Sequence, residues 1–310
     1  MKIVFAGTTS HAALVLKHLI SSMHQIVAVV TREDAPVGRK GILTPSPVAE
    51  VSTSLNIPTI KANRVTPNIT EQLSSFEPDL GIVIAYGALL KRPALEVPRH
   101  GWLNLHFSLL PAHRGAAPVQ HSILNGDVDT GVSIFKLDEG MDTGPVLKTV
   151  ETQIQPDENA GELLERLTSL GISAIDECIA QIDAGIAKYA DQEGTPSFAG
   201  KLNREDARID WNLPAHRIEL LVRAMNPEPM AWTQLDGASF RVLNARRSQL
   251  RASELSIGDQ SSVICSNDKV YVACGADTTL QLINVQPAGK NPMSAVDWFR
   301  GKKGDVIFNG

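Results

Sequence analysis

Polar and apolar residues alternate along Leu103-Asn104-Leu105-His106-Phe107-Ser108. On an extended strand, Asn104, His106 and Ser108 therefore share one face, and Leu103, Leu105 and Phe107 share the other. A strand buried on both sides reads as continuously apolar, so the polar face needs a reason. An amide and an imidazole in register offer hydrogen-bond donors to developing negative charge and a group that exchanges protons. Taken alone, a histidine such as His106 is more often a satisfied structural residue than a catalytic one. The run continues as Ser108-Leu109-Leu110-Pro111-Ala112-His113-Arg114-Gly115, where proline and glycine fix a loop directly after the strand. A second, acidic loop reads Asp138-Glu139-Gly140-Met141-Asp142-Thr143-Gly144. Its two glycines permit a tight bend that aims a carboxylate inward, although the same residues suit an acidic surface turn.

The elements that must position these groups alternate in type. Lys2–Ala6 is a strand-like run ending at Gly7, after which Ser10 is expected to cap a helix with Ala12, Leu16, Leu19 and Ile20 on one face. Further strands are predicted at Ile26–Val30, Asp79–Ala85 and Gly101–His106, with a helical pattern at Thr70–Phe76. This alternation predicts an α/β fold: a doubly wound, Rossmann-like, mostly parallel sheet that binds ligands beyond the carboxyl ends of its strands. The first turn, Gly7-Thr8-Thr9-Ser10, lacks the Gly-x-Gly-x-x-Gly fingerprint, so no dinucleotide site is expected there. Residues 159–184 predict a long helix, and Tyr189–Lys201 is polar and aperiodic. A helix over Pro214–Met225 then precedes short strand-like runs at 231–235, 240–243, 262–264, 269–273 and 279–285. These predict a second, smaller C-terminal β-barrel (OB-like) domain. The expected division is 1–188 for the α/β domain, 189–203 for a linker and 204–310 for the barrel.

The two loops together resemble the formyltransferase family that uses 10-formyltetrahydrofolate. Its shared elements are Asn-x-His-x-Ser-Leu-Leu-Pro-x-x-Arg-Gly and a later Asp-x-Gly-x-Asp-Thr-Gly, which stand here at Asn104–Gly115 and Asp138–Gly144. Phe107 replaces a glycine that many relatives carry, without removing a polar group. The resemblance implies that Asn104 and His106 donate to the oxyanion formed when an amine attacks a formyl carbon. It implies that Asp142 pairs with His106 and helps move the amine proton. It implies further that Ser108, Leu109, Leu110 and Pro111 line the folate pocket, with Ile84, Ala85 and Tyr86 bordering the pteridine. The cosubstrate would be 10-formyltetrahydrofolate, with no metal.

Those groups are common to formylation of several amines, so the acceptor must be read elsewhere. Thr31–Val48 contains Pro36-Val37-Gly38-Arg39-Lys40-Gly41 and Pro45-Ser46-Pro47-Val48. Arg39 and Lys40 by themselves suit a solvated loop tip. The pattern is similar to the loop of the branch whose acceptor is methionyl initiator tRNA, which implies RNA contacts by Arg39, with Lys40 as helper. Ala207–Trp211, Met225–Trp232 and Gln286–Lys290 resemble that branch's barrel domain. Trp211 and Trp232 are expected as core anchors, and Arg246, Arg247, Arg251 and Lys290 as candidate phosphate contacts. The implied activity is formyl transfer to the α-amino group of methionyl initiator tRNA, for translation initiation.

Composition bounds these readings. With 310 residues and 43% hydrophobic content, the chain can bury a substantial core. A net charge of −5 excludes coating of nucleic acid by bulk electrostatics, so any RNA contact must be local. Residues 1–200 carry 15 basic against 22 acidic side chains, and residues 201–310 carry 14 against 12, which makes the barrel region the more basic part. Three cysteines without metal-ligand spacing fit a reducing compartment. With no signal-like start and no membrane-length apolar run, the expectation is a cytoplasmic, monomeric protein.

Overall fold

The computed structural model describes residues 1–38 and 40–309; Arg39 and Gly310 lie outside the described residues. The chain divides into two compact units. One holds Met1–Pro118, Asp129–Gln153 and Leu164–Gly200, and the other holds Val119–Val128, Ile154–Leu163 and Lys201 onward.

The first unit is built on β1 (Lys2–Gly7), α1 (Ser10–Ser21), β2 (Gln25–Thr31), the hairpin β3 (Ala35–Val37) and β4 (Ile42–Thr44), α2 (Pro47–Ser54) and β5 (Thr59–Lys61). It continues through α3 (Pro67–Ser74), β6 (Leu80–Ile84), α4 (Arg92–Leu95), β7 (Trp102–His106) and β8 (Arg114–Gly115). Then come β9 (Asp129–Lys136), β10 (Val146–Gln153), α6 (Ala160–Asp183) from Leu164 onward, and β11 (Phe198–Ala199), while α5 (Pro118–Asn125) beyond its first residue and the start of α6 count with the second unit. The main sheet runs β10-β9-β7-β6-β1-β2-β5. Strands β5, β2, β1, β6 and β7 are parallel, whereas β9 and β10 are antiparallel additions. The chain winds outward from β1 first through β2 and β5, then through β6 and β7, so the switch point lies between β1 and β6.

Central strands are buried along nearly their whole length, as the continuous apolar runs of β1, β2 and β6 require. The cap of α1 is Thr9 rather than Ser10. Thr9 is extended, and its hydroxyl accepts from the Ala12 N–H at 3.3 Å, which leaves Ser10 inside the first turn. The polar stretch after α6 is aperiodic, yet it is held to the first unit by backbone pairing. Ala190 exchanges hydrogen bonds of 2.9 and 2.7 Å with Val146, and β11 lies parallel to β8.

In the second unit, α7 (Ala215–Ala224) accompanies β12 (Trp232–Leu235), β13 (Ala238–Arg247), β14 (Ser262–Ser266), β15 (Lys269–Cys274), β16 (Thr278–Pro287), β17 (Met293–Ser294), α8 (Ala295–Arg300) and β18 (Val306–Ile307). The antiparallel order is β12-β13-β16-β15-β14-β18, with β17 on β16. Gln234 and Asn309 exchange backbone hydrogen bonds of 3.1 and 2.9 Å, which bring the chain end back to β12 and nearly close a barrel. Phe308 fills its centre between Trp211 and Trp298, stacked at 5.3 and 5.9 Å. Trp211 and Trp232 are both buried here, as core anchors. Of the arginines expected at phosphates, Arg246 pairs with Asp157 at 2.9 Å and Arg247 approaches Glu219 at 3.9 Å.

Candidate active site

A cavity of about 530 Å³ opens beyond the carboxyl ends of β6 and β7, next to the switch point of the sheet. Asn104, His106 and Asp142 all line it. β7 supplies the first two because its register sets Asn104 opposite Phe135 and His106 opposite Ser133, which leaves the histidine as the last residue of the strand. Phe135 meets the His106 ring edge-on at 6.3 Å, so the imidazole is packed on its apolar side.

The protons of the His106 ring follow from its partners. Nε2 lies 2.9 Å from the His113 carbonyl oxygen, and a carbonyl only accepts, so Nε2 carries a hydrogen. Nδ1 faces Asp142 Oδ2 at 3.7 Å. In the neutral ring, Nδ1 is thus the basic nitrogen, and in the charged ring it is the donor toward Asp142. Burial lowers the imidazole below its ordinary pKa, opposed by the Asp142 carboxylate and the His113 carbonyl, while the neighbouring His113 ring lowers it further.

Asp142 reaches this position through a strained loop. Its backbone lies in the left-handed region, φ 54°, and its Oδ2 accepts the Gly115 N–H at 2.7 Å. Asp138 ties the loop internally, accepting from the Gly140 N–H at 3.0 Å and the Thr143 hydroxyl at 2.7 Å. A Cβ at Gly144 would collide with the Lys136 carbonyl oxygen, so the bend closes only with glycine. The acidic loop therefore does aim a carboxylate inward.

The other expected residues are placed differently. Ser108 turns away from the cavity, its hydroxyl donating to the Ala112 carbonyl at 2.6 Å. After it the Leu110 N–H donates to Ser133 Oγ at 3.1 Å, and Ser133 Oγ donates to the Ser108 carbonyl at 2.7 Å. These residues thus brace the loop after β7. Ile84 is buried within β6, while Ala85 and Tyr86 reach the cavity. The Tyr86 hydroxyl donates to the Ala62 carbonyl at 2.7 Å, which fixes the ring in the core. Lys40 is exposed at the tip of the β3–β4 hairpin; Arg39 falls outside the described residues.

Three further groups leave no mark in the sequence: the His113 carbonyl, the Gly115 N–H and Gln192. Gln192 donates from Nε2 to the carbonyls of Asp142 and Gly144, both at 2.8 Å. A backbone group has no letter of its own, and one glutamine in an aperiodic stretch has no pattern.

Known proteins place the chain. The pattern described as Formyl transferase matches residues 1–179, and Formyl transferase, C-terminal domain, matches residues 201–303. A methionyl-tRNA formyltransferase of Arthrobacter sp. (strain FB24) is 45% identical over 302 residues, 97% of each chain. This chain belongs to the methionyl-tRNA formyltransferase family. The methionyl-tRNA formyltransferase of Leifsonia xyli subsp. xyli (strain CTCB07) is 41% identical over 309 residues, with full coverage of both chains. Among solved structures, a sugar 3N-formyl transferase determined in the presence of dTDP and 5-N-formyl-THF superposes with a TM-score of 0.68, over 94% of this chain and 99% of that one. At 17% identity that likeness concerns the fold. The N-terminal formyl transferase match contains Asn104, His106 and Asp142, whereas Gln192 lies between the two matched regions.

Proposed function

We propose that the chain transfers the formyl group of 10-formyltetrahydrofolate to the α-amino group of methionyl initiator tRNA, producing N-formylmethionyl-tRNA. The observation that carries the chemistry is the convergence of Asn104, His106 and Asp142 on one cavity beyond β6 and β7. Its volume of about 530 Å³ suits a small-molecule cosubstrate, and the stretch Ala85–Leu90 supplies a largely apolar wall for a ring system. Family membership supports methionyl-tRNA as the acceptor. The β3–β4 hairpin adds a surface suited to an RNA end, exposing apolar Val37, Ile42 and Leu43 beside Lys40, with Arg39 as the expected phosphate and base contact.

In the reaction the formyl carbon bonds to the amine nitrogen and parts from N10 of the folate, and the proton lost by the amine is delivered to N10. Asn104 donates to the formyl oxygen as it gains negative charge. His106 works through Nδ1, because Nε2 is committed to the His113 carbonyl. Neutral Nδ1 takes the amine proton, directly or through water, and Asp142 stabilises the imidazolium so formed. The charged ring then donates toward the oxyanion and releases its proton to N10 as the carbon–nitrogen bond breaks. No step needs a metal, and the proposal includes a cytoplasmic enzyme that acts as a monomer.

Single-turnover formylation of charged initiator tRNA tests the assignment. His106→Ala and Asp142→Ala are each expected to slow turnover about a hundredfold or more. A near-normal rate in either variant would remove that residue from the mechanism.

A further inference from the structure

The segment between α6 and the barrel holds both members of the His106–Asp142 pair. Its Ser197 hydroxyl accepts the His113 N–H at 2.8 Å, and the His113 carbonyl pins His106. Its Gln192 bridges to the acidic loop, with Nε2 donating to the Asp142 and Gly144 carbonyls. The other end of that amide faces Arg114, whose Nε and Nη2 donate to Gln192 Oε1 at 3.1 and 2.6 Å. This settles the orientation of the amide: a guanidinium only donates and carbonyls only accept, so Oε1 must face Arg114 and the NH₂ must face the loop. Arg114 in turn precedes Gly115, whose N–H grips the Asp142 carboxylate. Backbone and side chain of Asp142 are therefore both tied to the two residues of β8, one through Gln192 and one directly. A left-handed aspartate in a short loop has other conformations close in energy, so two donors on its flanking carbonyls select the one that presents the carboxylate to His106.

We propose that Gln192, braced by Arg114, is a positioning residue for Asp142, and that the stretch 189–200 is part of the catalytic apparatus. The proposal rests on the role of Asp142 given above. A glutamine is required because it is neutral and has two donors and an acceptor on one short planar group. Glutamate has the same shape and would bind Arg114 more strongly, yet it cannot donate to two carbonyls.

Formylation kinetics of Gln192→Ala, Gln192→Glu, Asp142→Ala and the Gln192→Ala/Asp142→Ala double variant test it, each across a pH series. Both Gln192 variants should lower kcat about ten- to a hundredfold, the loss expected for misplacing a reacting group by roughly an ångström, with the folate KM little changed. The acid limb of kcat in Gln192→Ala should move to lower pH, because His106, which also faces the His113 ring, loses the carboxylate that holds its proton. In the Asp142→Ala background, Gln192→Ala should cost almost nothing more, since the two act as one unit. Gln192→Glu keeps the size of the side chain and decides the matter if the alanine variant fails to fold. A rate within about threefold of wild type in Gln192→Glu, beside an impaired Asp142→Ala, overturns the positioning role and leaves that of Asp142 intact. Loss with an unmoved pH profile and a full additional loss in the double variant also overturns it. A near-normal Asp142→Ala removes the reading on which the proposal stands, and the proposal with it.

Discussion

His106 combines a fixed ring with a disfavoured charge. The His113 carbonyl holds Nε2, Phe135 covers an edge, and burial lowers the imidazole's affinity for a proton. At neutral pH the resting ring is thus the uncharged base that the amine needs. The acid limb of kcat/KM is expected below the ordinary histidine pKa of about 6.5, read from a pH–rate profile; a limb above that value contradicts the assignment. Stability follows the same sign. As pH falls from the ordinary histidine range through the lower folded value, the unfolded chain takes up the proton first, so this group's contribution to stability is present above the range and lost below it. Asn104→Ala should lower kcat about a hundred- to a thousandfold with little change in folate KM, as for removal of one oxyanion donor. Asn104, His106 and Asp142 were named through the resemblance that the β7 motif and the acidic loop carry together, since either stretch alone reads equally as structure, and all three line one cavity. Ser108–Pro111, expected to line the folate pocket, are held in a fixed loop by hydrogen bonds to the Ala112 carbonyl and Ser133.

At the scale of elements, β1, β2, β6 and β7 were readable from the sequence to within a residue or two, whereas the three-residue parallel strand β5 is too short to leave a pattern. β9 and β10 were not readable, for a physical reason. β10 is an edge strand whose residues alternate between partly covered and exposed, and β9 carries Gly131 where a Cβ would meet the Val150 carbonyl oxygen. The acidic loop depends on Gly144, so Gly144→Ala should destabilise the fold by about 1–3 kcal/mol in a denaturant titration, as overpacking does, and should slow formylation along with it. A fully active and equally stable variant would show that the loop can close another way. The β3–β4 hairpin is predicted to serve the acceptor alone. Arg39→Ala should raise the KM for charged tRNA and leave folate binding largely unchanged, measured by steady-state kinetics and folate titration; equal loss of both would make the hairpin structural.

For the molecule as a whole, a net charge of −5 requires that RNA be held by local patches. The KM for tRNA should therefore rise with added salt, while the affinity for folate, bound in a largely apolar cavity, should change far less. Within the second unit the aromatic centre carries the barrel: Phe308→Ala should cost about 3–5 kcal/mol, read as a lower denaturation midpoint. The barrel was visible in advance as short runs separated by turns, but its near closure through Gln234 and Asn309 was not, because it joins residues far apart in sequence. The central claim concerns both donor and acceptor, and one assay addresses them together. Purified protein is given 10-formyltetrahydrofolate with charged initiator methionyl-tRNA, an aminosugar nucleotide or water as the only acceptor, and the formylated product is identified in each case. Formyl transfer to the methionine amine, with little sugar formylation or formate release, is the predicted result; absence of transfer to methionyl-tRNA would contradict the account.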